Sequence, residues 1–117
     1  GYAGGLQPEL VPGEIILTDG AFNDTAVARL YGYDYDIIHS SKDLTNEIEE
    51  MITSAEILYK RGLHWTTDAG YRETWGQVMD YRDKGALCVE MEGVGLFTIA
   101  NYRKCVATGI YVVFDVY

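Results

Sequence analysis

Cysteines, basic residues and long apolar runs are scarce in this sequence, and each shortage excludes a class of protein. The two cysteines, Cys88 and Cys105, stand in separate apolar runs without histidine neighbours, so neither a disulfide framework nor a metal site is expected. This usage is typical of buried thiols in a reducing compartment. No apolar run approaches the roughly 18 residues that a membrane-spanning helix needs, and no signal peptide is visible. We therefore predict a cytoplasmic protein without a membrane partner.

The shortage of basic residues also argues against a nucleic acid as partner. Acidic residues outnumber basic residues by 18 to 9 in the 117-residue chain, which gives a formal net charge of −9. Phosphate backbones attract basic surfaces, so this balance makes nucleic-acid binding an unfavourable hypothesis. The hydrophobic fraction of 48% and the charged fraction of 23% are ordinary values for a globular protein and exclude a disordered chain.

Hydrophobic periodicity predicts strands that alternate with helices. Apolar residues recur at helical spacing between Lys42 and Gly62, with Asp43 or Thr45 as the cap, residues 60–61 in the last turn and Gly62 just beyond the end. Residues 21–36 show no clear period and are expected to form an irregular segment with some helix. Further helices are predicted at 73–85, closed by Gly85, and at 94–103. The predicted strands are 14–20, 63–67, 86–92 and 105–114.

This alternation indicates an α/β fold, in which a mainly parallel mixed sheet is flanked by helices. We expect residues 1–117 to form a single domain, because no repeat or linker is evident. We also expect that domain to be incomplete, since the chain starts on a glycine turn and stops after an apolar strand, which would leave sheet edges unpaired.

Two glutamates flank a methionine at the carboxyl end of the predicted strand 86–92, where open α/β sheets place their ligands. Side chains two residues apart in a strand point to the same face, so Glu90 and Glu92 are expected to project together, about 6.6 Å apart along the chain. Two carboxylates in an apolar run are costly without partners. They could accept hydrogen bonds from vicinal hydroxyls, as on a ribose, or one of them could only cap the following helix.

Asp115 follows the apolar residues of the last predicted strand and is expected at the same sheet edge as Glu92. An aspartic acid in such a setting can donate a proton to a leaving group, although a solvated turn aspartate explains the residue equally well. His64, a lone histidine in an apolar strand, is expected to be a satisfied core residue rather than a catalyst. The glycines of residues 1–5 could bring backbone amides close to an anion.

Four segments follow one another in an order that is more informative than any one of them: GYAGGLQPEL, PGEIILTDGA, WTTDAGYRET and VEMEG. On these segments, essentially the whole chain resembles the nucleoside phosphorylase family of the purine nucleoside and uridine phosphorylase type. The resemblance implies a pentosyltransferase that cleaves nucleosides to free base and ribose 1-phosphate, with phosphate as co-substrate and no cofactor. Asp115, which follows Glu92 by 23 residues, is similar to the acid of the purine-cleaving members and of related nucleosidases.

The resemblance also implies a role for individual residues. Glu92 would accept hydrogen bonds from the 2′ and 3′ hydroxyls of ribose, and Asp115 would protonate the purine as the general acid. The other implied site residues are those for ribose, Glu90 and Met91, and those for the base, Ala3, Gly4, Ala69, Gly70 and Tyr71. A homo-oligomer is expected.

Three positions depart from the family pattern. Tyr2 replaces a small hydroxyl residue that touches phosphate, Phe114 replaces a serine beside the acid, and Gly70 replaces an aromatic residue that stacks on the base. Two alternatives to phosphorolysis therefore stay open. One is a nucleosidase on the same fold, in which water replaces phosphate, and the other is a non-catalytic truncated remnant.

Overall fold

The computed structural model describes all residues from Gly1 to Tyr117. It contains six strands and four helices, with a short 3₁₀ turn at Gly70–Arg72. The strands are β1 (Tyr2–Gly5), β2 (Ile15–Asp24), β3 (Ile37–His39), β4 (Lys60–Thr67), β5 (Cys88–Glu90) and β6 (Ile110–Val116). The helices are α1 (Val27–Leu30), α2 (Lys42–Ser54), α3 (Trp75–Asp83) and α4 (Gly93–Tyr102).

The six strands form one sheet that closes on itself. Its order is β3-β2-β4-β5-β1-β6, and β6 also pairs with β2, so that five strands complete a ring. The first and last strands of the chain, β1 and β6, therefore each have neighbours on two sides. The expectation that they form unpaired edges of an open sheet is wrong. The parallel pairs are β2–β4, β4–β5 and β1–β6, and the longest register is the parallel β2–β4 pair. The predicted α/β fold with a mainly parallel mixed sheet is confirmed.

A bend in β2 allows this strand to have two partners along the same side. Its first part, Ile15–Leu17, pairs with β6, and its second part, Gly20–Phe22, pairs with β3. Gly20 lies at the change, where φ is +146° and the register against β4 shifts. A side chain here would bring its Cβ to within 2.7 Å of the Ile38 carbonyl oxygen, so both the backbone conformation and the space require glycine.

The helix predicted over residues 42–62 is shorter than its apolar pattern suggests. It begins after Ser41, whose side chain accepts a hydrogen bond from the Leu44 amide, so neither Asp43 nor Thr45 is the cap. It ends at Ser54, and Glu56 then adopts a left-handed φ of +58° that turns the chain. The residues predicted as its last turn, Lys60 and Arg61, belong instead to β4, where they pair with Ile16 and Leu17 of β2. Arg61 also forms ion pairs with Asp19 on β2 and Glu49 on α2.

The last strand also begins later than predicted. α4 ends at Tyr102, Lys104 then adopts a left-handed φ of +58°, and residues 105–109 form a connection before β6 starts at Ile110. Cys105 is therefore exposed, which corrects the prediction of two buried thiols, whereas Cys88 is buried. Burial raises the pKa of the Cys88 thiol to about 12. Gly85 follows α3 with a φ of +91°, as the predicted helix end requires.

Apolar side chains pack both inside the ring and between the ring and its helices. One cluster fills the ring and includes Ala3, Ile16 and Tyr111. A second surrounds Trp65 beneath α3, where the indole stacks on Tyr81 at 4.3 Å between ring centroids. None of the helices combines the length and hydropathy that crossing a membrane requires.

Candidate functional site

The turn between β5 and α4 separates the two glutamates that the sequence was expected to place side by side. The strand ends at Glu90, and Glu92 is already the N-cap residue of α4. The predicted common face is therefore wrong, because the extended backbone stops before Glu92. Glu90 is buried beneath the turn, while Met91 and Glu92 are exposed on it.

Glu90 has the capping role that the sequence left open for one of the pair. Its Oε2 accepts hydrogen bonds from the Glu92 amide at 2.8 Å and from the Gly93 amide at 2.7 Å. These amides belong to the start of α4, where backbone N–H groups lack partners within the helix. The Glu90 side chain is only 3% exposed, so its carboxylate lies inside the fold rather than on the surface of the turn.

The other carboxylate oxygen of Glu90 meets the core histidine. Its Oε1 lies 2.9 Å from His64 Nε2 and also accepts a hydrogen bond from the Thr66 hydroxyl. Burial opposes ionisation of Glu90, but the interactions with His64, Thr66 and the Glu92 amide outweigh it and lower the pKa of the carboxyl. His64 is fully buried with partners on both ring nitrogens, as expected of a satisfied core residue.

Glu92 keeps one carboxylate oxygen available. Its Oε2 accepts from the amide of Met91 at 3.0 Å, which fixes the side chain along the turn, and its side chain makes no capping bond to α4. Since Oε1 has no protein partner, this exposed carboxylate can accept hydrogen bonds from a bound molecule. Met91, half exposed beside it, offers an apolar surface.

Asp115 lies on β6 against the glycines of β1. Gly4 pairs with Val89 of β5 on one side and with Asp115 on the other. Because β1 is parallel to β6 and antiparallel to β5, Asp115 and Glu92 follow oppositely directed strands, and the predicted shared edge is wrong. The carboxylate of Asp115 is exposed and has no protein hydrogen-bond partner. A Cβ on Gly4 would lie 3.2 Å from its Oδ1, so glycine leaves this oxygen accessible.

Tyr117 and Glu73 connect the two halves of this region, and nothing in the sequence pattern indicated them. The Tyr117 ring covers the Gly4 backbone, and its hydroxyl donates to Glu73 Oε2 at 2.7 Å. Partial burial, together with that carboxylate, raises the pKa of Tyr117. Glu73 approaches Gly70, and a Cβ on Gly70 would lie 3.3 Å from the sulfur of Met91. Contacts therefore run continuously from Asp115 to the turn that bears Glu92.

The predicted base-binding residues do not all meet at one place. Gly70 faces Met91, whereas Ala69 and Tyr71 line a cavity of about 680 Å³ on another side of the 3₁₀ turn. Neither Glu92 nor Asp115 lines that cavity. The Ala3 side chain packs in the core inside the ring, so only its backbone can reach a ligand.

These features define the class of protein first. The chain is an α/β protein with a closed mixed sheet, and exposed carboxylates on β6 and on the turn after β5 are joined by a band of contacts that includes two glycines. Sequence comparison then identifies the family. All residues from 1 to 117 match the Phosphorylase superfamily, and the chain belongs to it. The resemblance drawn from the four sequence segments is confirmed.

Individual relatives agree with this assignment. The chain is 31% identical over 117 residues to a DeoD-type purine nucleoside phosphorylase of Exiguobacterium sibiricum, with 98% of this chain and 49% of that protein covered. A DeoD-type 1 purine nucleoside phosphorylase of Shewanella oneidensis is 26% identical over 116 residues, with the same shares covered. The chain therefore spans about half the length of the curated relatives it matches.

A solved structure shares the fold. A P. knowlesi homologue of P. falciparum PNP superimposes with a TM-score of 0.87 at 23% sequence identity, covering 98% of this chain and 48% of that one. At this level of identity the likeness concerns the fold, which extends through nearly all the elements described above.

Proposed function

We propose that the protein containing this chain cleaves purine nucleosides by phosphorolysis. In this reaction the bond between the base nitrogen and the sugar carbon breaks, phosphate oxygen bonds to the same carbon, and the base leaves with a proton. The products are the free base and ribose 1-phosphate. The observation that carries the proposal is the pair of exposed, incompletely partnered carboxylates, Glu92 and Asp115, in a chain of the Phosphorylase superfamily.

The two carboxylates have different tasks in this proposal. Glu92 accepts hydrogen bonds from the 2′ and 3′ hydroxyls through its available oxygen, so that the sugar is fixed as positive charge develops on it. Asp115 supplies the proton that neutralises the departing purine. Met91 packs against the sugar. Phosphate is the co-substrate, and neither task requires a cofactor.

The base is proposed to lie along the band between Gly4 and Gly70. A Cβ at Gly4 would contact Asp115 and Tyr117, and a Cβ at Gly70 would contact Met91. Side chains at these two positions would therefore occupy the band. Tyr117 covers the Gly4 backbone, so binding requires its ring to move aside or to form one wall of the base pocket. Tyr71, which is fully exposed, is proposed to form the outer wall by turning its ring toward this band. Ala69, which lines the cavity on the other side of the 3₁₀ turn, is not assigned to this pocket.

Hydrolysis by water is a second candidate, and one contact favours it. Tyr2 and Phe114 pack edge to face at 6.1 Å between ring centroids, next to Gly4 and Asp115 on β1 and β6. These are the two positions at which small hydroxyl residues were expected from the family resemblance. An aromatic pair there offers few polar groups to an anion, so phosphate would bind weakly and water could replace it.

The experiment is an assay of the full-length protein with inosine or adenosine, with and without phosphate. Phosphorolysis predicts turnover that depends on phosphate and yields ribose 1-phosphate, whereas hydrolysis predicts free ribose in either buffer. The Glu50→Gln variant, which removes an exposed charge on α2, serves as the control for changes at Glu92. Absence of turnover under both conditions would reject both activities and leave the non-catalytic remnant.

A further inference from the structure

A chain of buried hydrogen bonds leads from the bend of β2 to the turn that carries Glu92. It begins at Thr18, whose hydroxyl donates to the Gly20 carbonyl at 2.8 Å and accepts from the Gly20 amide at 3.0 Å. The same hydroxyl contacts His64 Nδ1 on β4, and His64 Nε2 contacts Glu90 at 2.9 Å. Thr18 and His64 are fully buried. The network ends on the amides of Glu92 and Gly93.

The chemistry of these groups fixes one proton. An ionised carboxylate only accepts hydrogen bonds, so His64 Nε2 must carry a hydrogen in order to bind Glu90. Nδ1 faces the Thr18 hydroxyl, whose single hydrogen can point either to the Gly20 carbonyl or to this nitrogen. When Nδ1 is protonated it donates to the hydroxyl, and when it is not the hydroxyl can turn its hydrogen to Nδ1, so this nitrogen has a partner in either protonation state. The histidine thus couples a rigid bend of the sheet to the carboxylate that holds the turn.

Gly93 shows how closely the network supports the turn. A Cβ at this position would lie 2.8 Å from His64 Nε2, 2.9 Å from Glu90 Oε1 and 3.0 Å from the Tyr111 hydroxyl. The first two distances are shorter than real Cβ contacts, so the turn backbone rests directly on the imidazole and the carboxylate. A shift of His64 must therefore be transmitted to the backbone of Glu92 and Gly93.

We propose that His64 is a positioning residue that acts through Glu90 to hold the Met91–Glu92 turn in the geometry that a bound sugar requires. This inference rests on the proposed function for its catalytic consequence, but not for its structural one. A misplacement of about 1 Å in a binding group can cost on the order of 10²-fold in rate. Glu90, which His64 contacts, is the side chain that accepts hydrogen bonds from both the Glu92 and the Gly93 amides.

Two substitutions of similar size separate positioning from mere packing. His64→Gln places an amide N–H near the position of Nε2 and can still donate to Glu90. His64→Asn is shorter and reaches only toward Thr18. Both remove the ring from its contacts with Tyr111 and Phe97, so a difference between them reports on the bond to Glu90. Thr98→Val is the control for a buried change, because the Thr98 hydroxyl has no partner.

The first readout is hydrogen exchange of the Glu92 and Gly93 amides in the full-length protein. We expect exchange to become at least about tenfold faster in His64→Asn, with His64→Gln and Thr98→Val close to the parent and the amides of α2 unchanged in all. Equal protection of the two amides in His64→Asn would overturn the proposal, and so would equal loss in both histidine variants. If His64→Asn fails to fold, Thr18→Val provides the milder test, with the same two amides expected to lose protection.

The second readout is nucleoside turnover. We expect kcat/KM to fall on the order of 10²-fold in His64→Asn and to recover largely in His64→Gln. If the parent protein shows no turnover, the proposed function fails, while the exchange comparison still decides whether His64 positions the turn. Faster exchange combined with unaltered turnover would overturn the catalytic consequence alone.

Discussion

Replacing Glu90 with glutamine is expected to destabilise the protein and to remove part of its sensitivity to acid. The carboxylate accepts two hydrogen bonds on each oxygen, from His64 and Thr66 on one side and from the amides of Glu92 and Gly93 on the other. Glutamine offers only one oxygen and turns the other position into an N–H donor. One pair of donors must therefore lose its acceptor.

The structure indicates which pair of donors loses its hydrogen bonds to the side chain. Backbone amides cannot change from donor to acceptor, whereas the Thr66 hydroxyl can rotate and His64 can exchange the hydrogen between its ring nitrogens. The glutamine oxygen should therefore face Glu92 and Gly93, with its N–H₂ group facing His64. Hydrogen bonds to charged groups contribute about 1.5–3 kcal/mol each, and replacement by weaker neutral bonds should cost about 1–3 kcal/mol of unfolding free energy.

The acid dependence follows from the direction of the pKa shift. The pKa of Glu90 is lower in the folded protein than its ordinary value, which is about 4.3 in the unfolded chain. Its contribution to stability is therefore fully present above that ordinary value and is lost as the pH falls through the folded pKa. Burial raises the pKa of neighbouring Cys88 to about 12 and that of Tyr111 still further, so neither titrates in this range.

The measurement is urea unfolding of the parent and of Glu90→Gln at pH 7 and at pH 4 or below. We expect the difference in unfolding free energy between the two proteins to be largest at pH 7 and to shrink on acidification. Asp34→Asn, which removes an exposed carboxylate that makes no side-chain hydrogen bond or ion pair, should leave both the stability and the pH dependence of the difference unchanged. A constant difference between parent and Glu90→Gln at all pH values would refute the reasoning.

Three further predictions concern the exposed groups. Glu92→Gln should lower kcat/KM for nucleosides by about 10²-fold, since a charge-assisted pair to two hydroxyls is lost, and an unchanged value beside the Glu50→Gln control would refute the ribose role. Asp115→Asn should slow natural purine nucleosides far more than an analogue with a good leaving group, and equal losses on both would make the residue structural. The 117-residue chain alone should self-associate through Tyr2 and Phe114, which are 74% and 71% exposed. In sedimentation, the variant with serine at both positions should associate less than the parent. A parent chain that stays monomeric would contradict this prediction.

Four of the six strands and the three longer helices could be predicted from the sequence because each has its own apolar period. The short strands β1 and β3 were not predicted. Residues 1–5 were interpreted as a glycine turn, and Ile37–His39 has too few residues to show a period.

The end of α2 and the start of β6 could not be predicted, for a common physical reason. Glu56 and Lys104 both adopt a left-handed backbone, which is uncommon for residues other than glycine and leaves no signal in the hydrophobic pattern. Beyond Glu56, Leu58 therefore seemed to continue the helix although it is 91% exposed, and beyond Lys104 the apolar residues from Cys105 seemed to begin the last strand although Val106 is 70% exposed.

Closure of the sheet also could not be predicted from local sequence patterns. Closure depends on the bend of β2 at Gly20 and on the pairing of β6 with both β1 and β2. These contacts join residues that are far apart in the chain, and their directions decide whether two strand ends share an edge. For the same reason, the sequence could mark Asp115 as a candidate but could not place it relative to Glu92.

The separation of roles between Glu90 and Glu92 depends on where β5 ends. Had the strand continued for two more residues, both side chains would point to one face, and both would be either buried or exposed. Because the extended backbone stops at Glu90, the first carboxylate points inward and holds the amides of the turn, and the second lies on the surface with one oxygen available. The buried glutamate needs His64 and Thr66 as partners, whereas the exposed glutamate needs the turn to stay fixed. The Glu-Met-Glu motif is thus best understood as a supported carboxylate, in which a buried acid positions the acid that is available to a ligand.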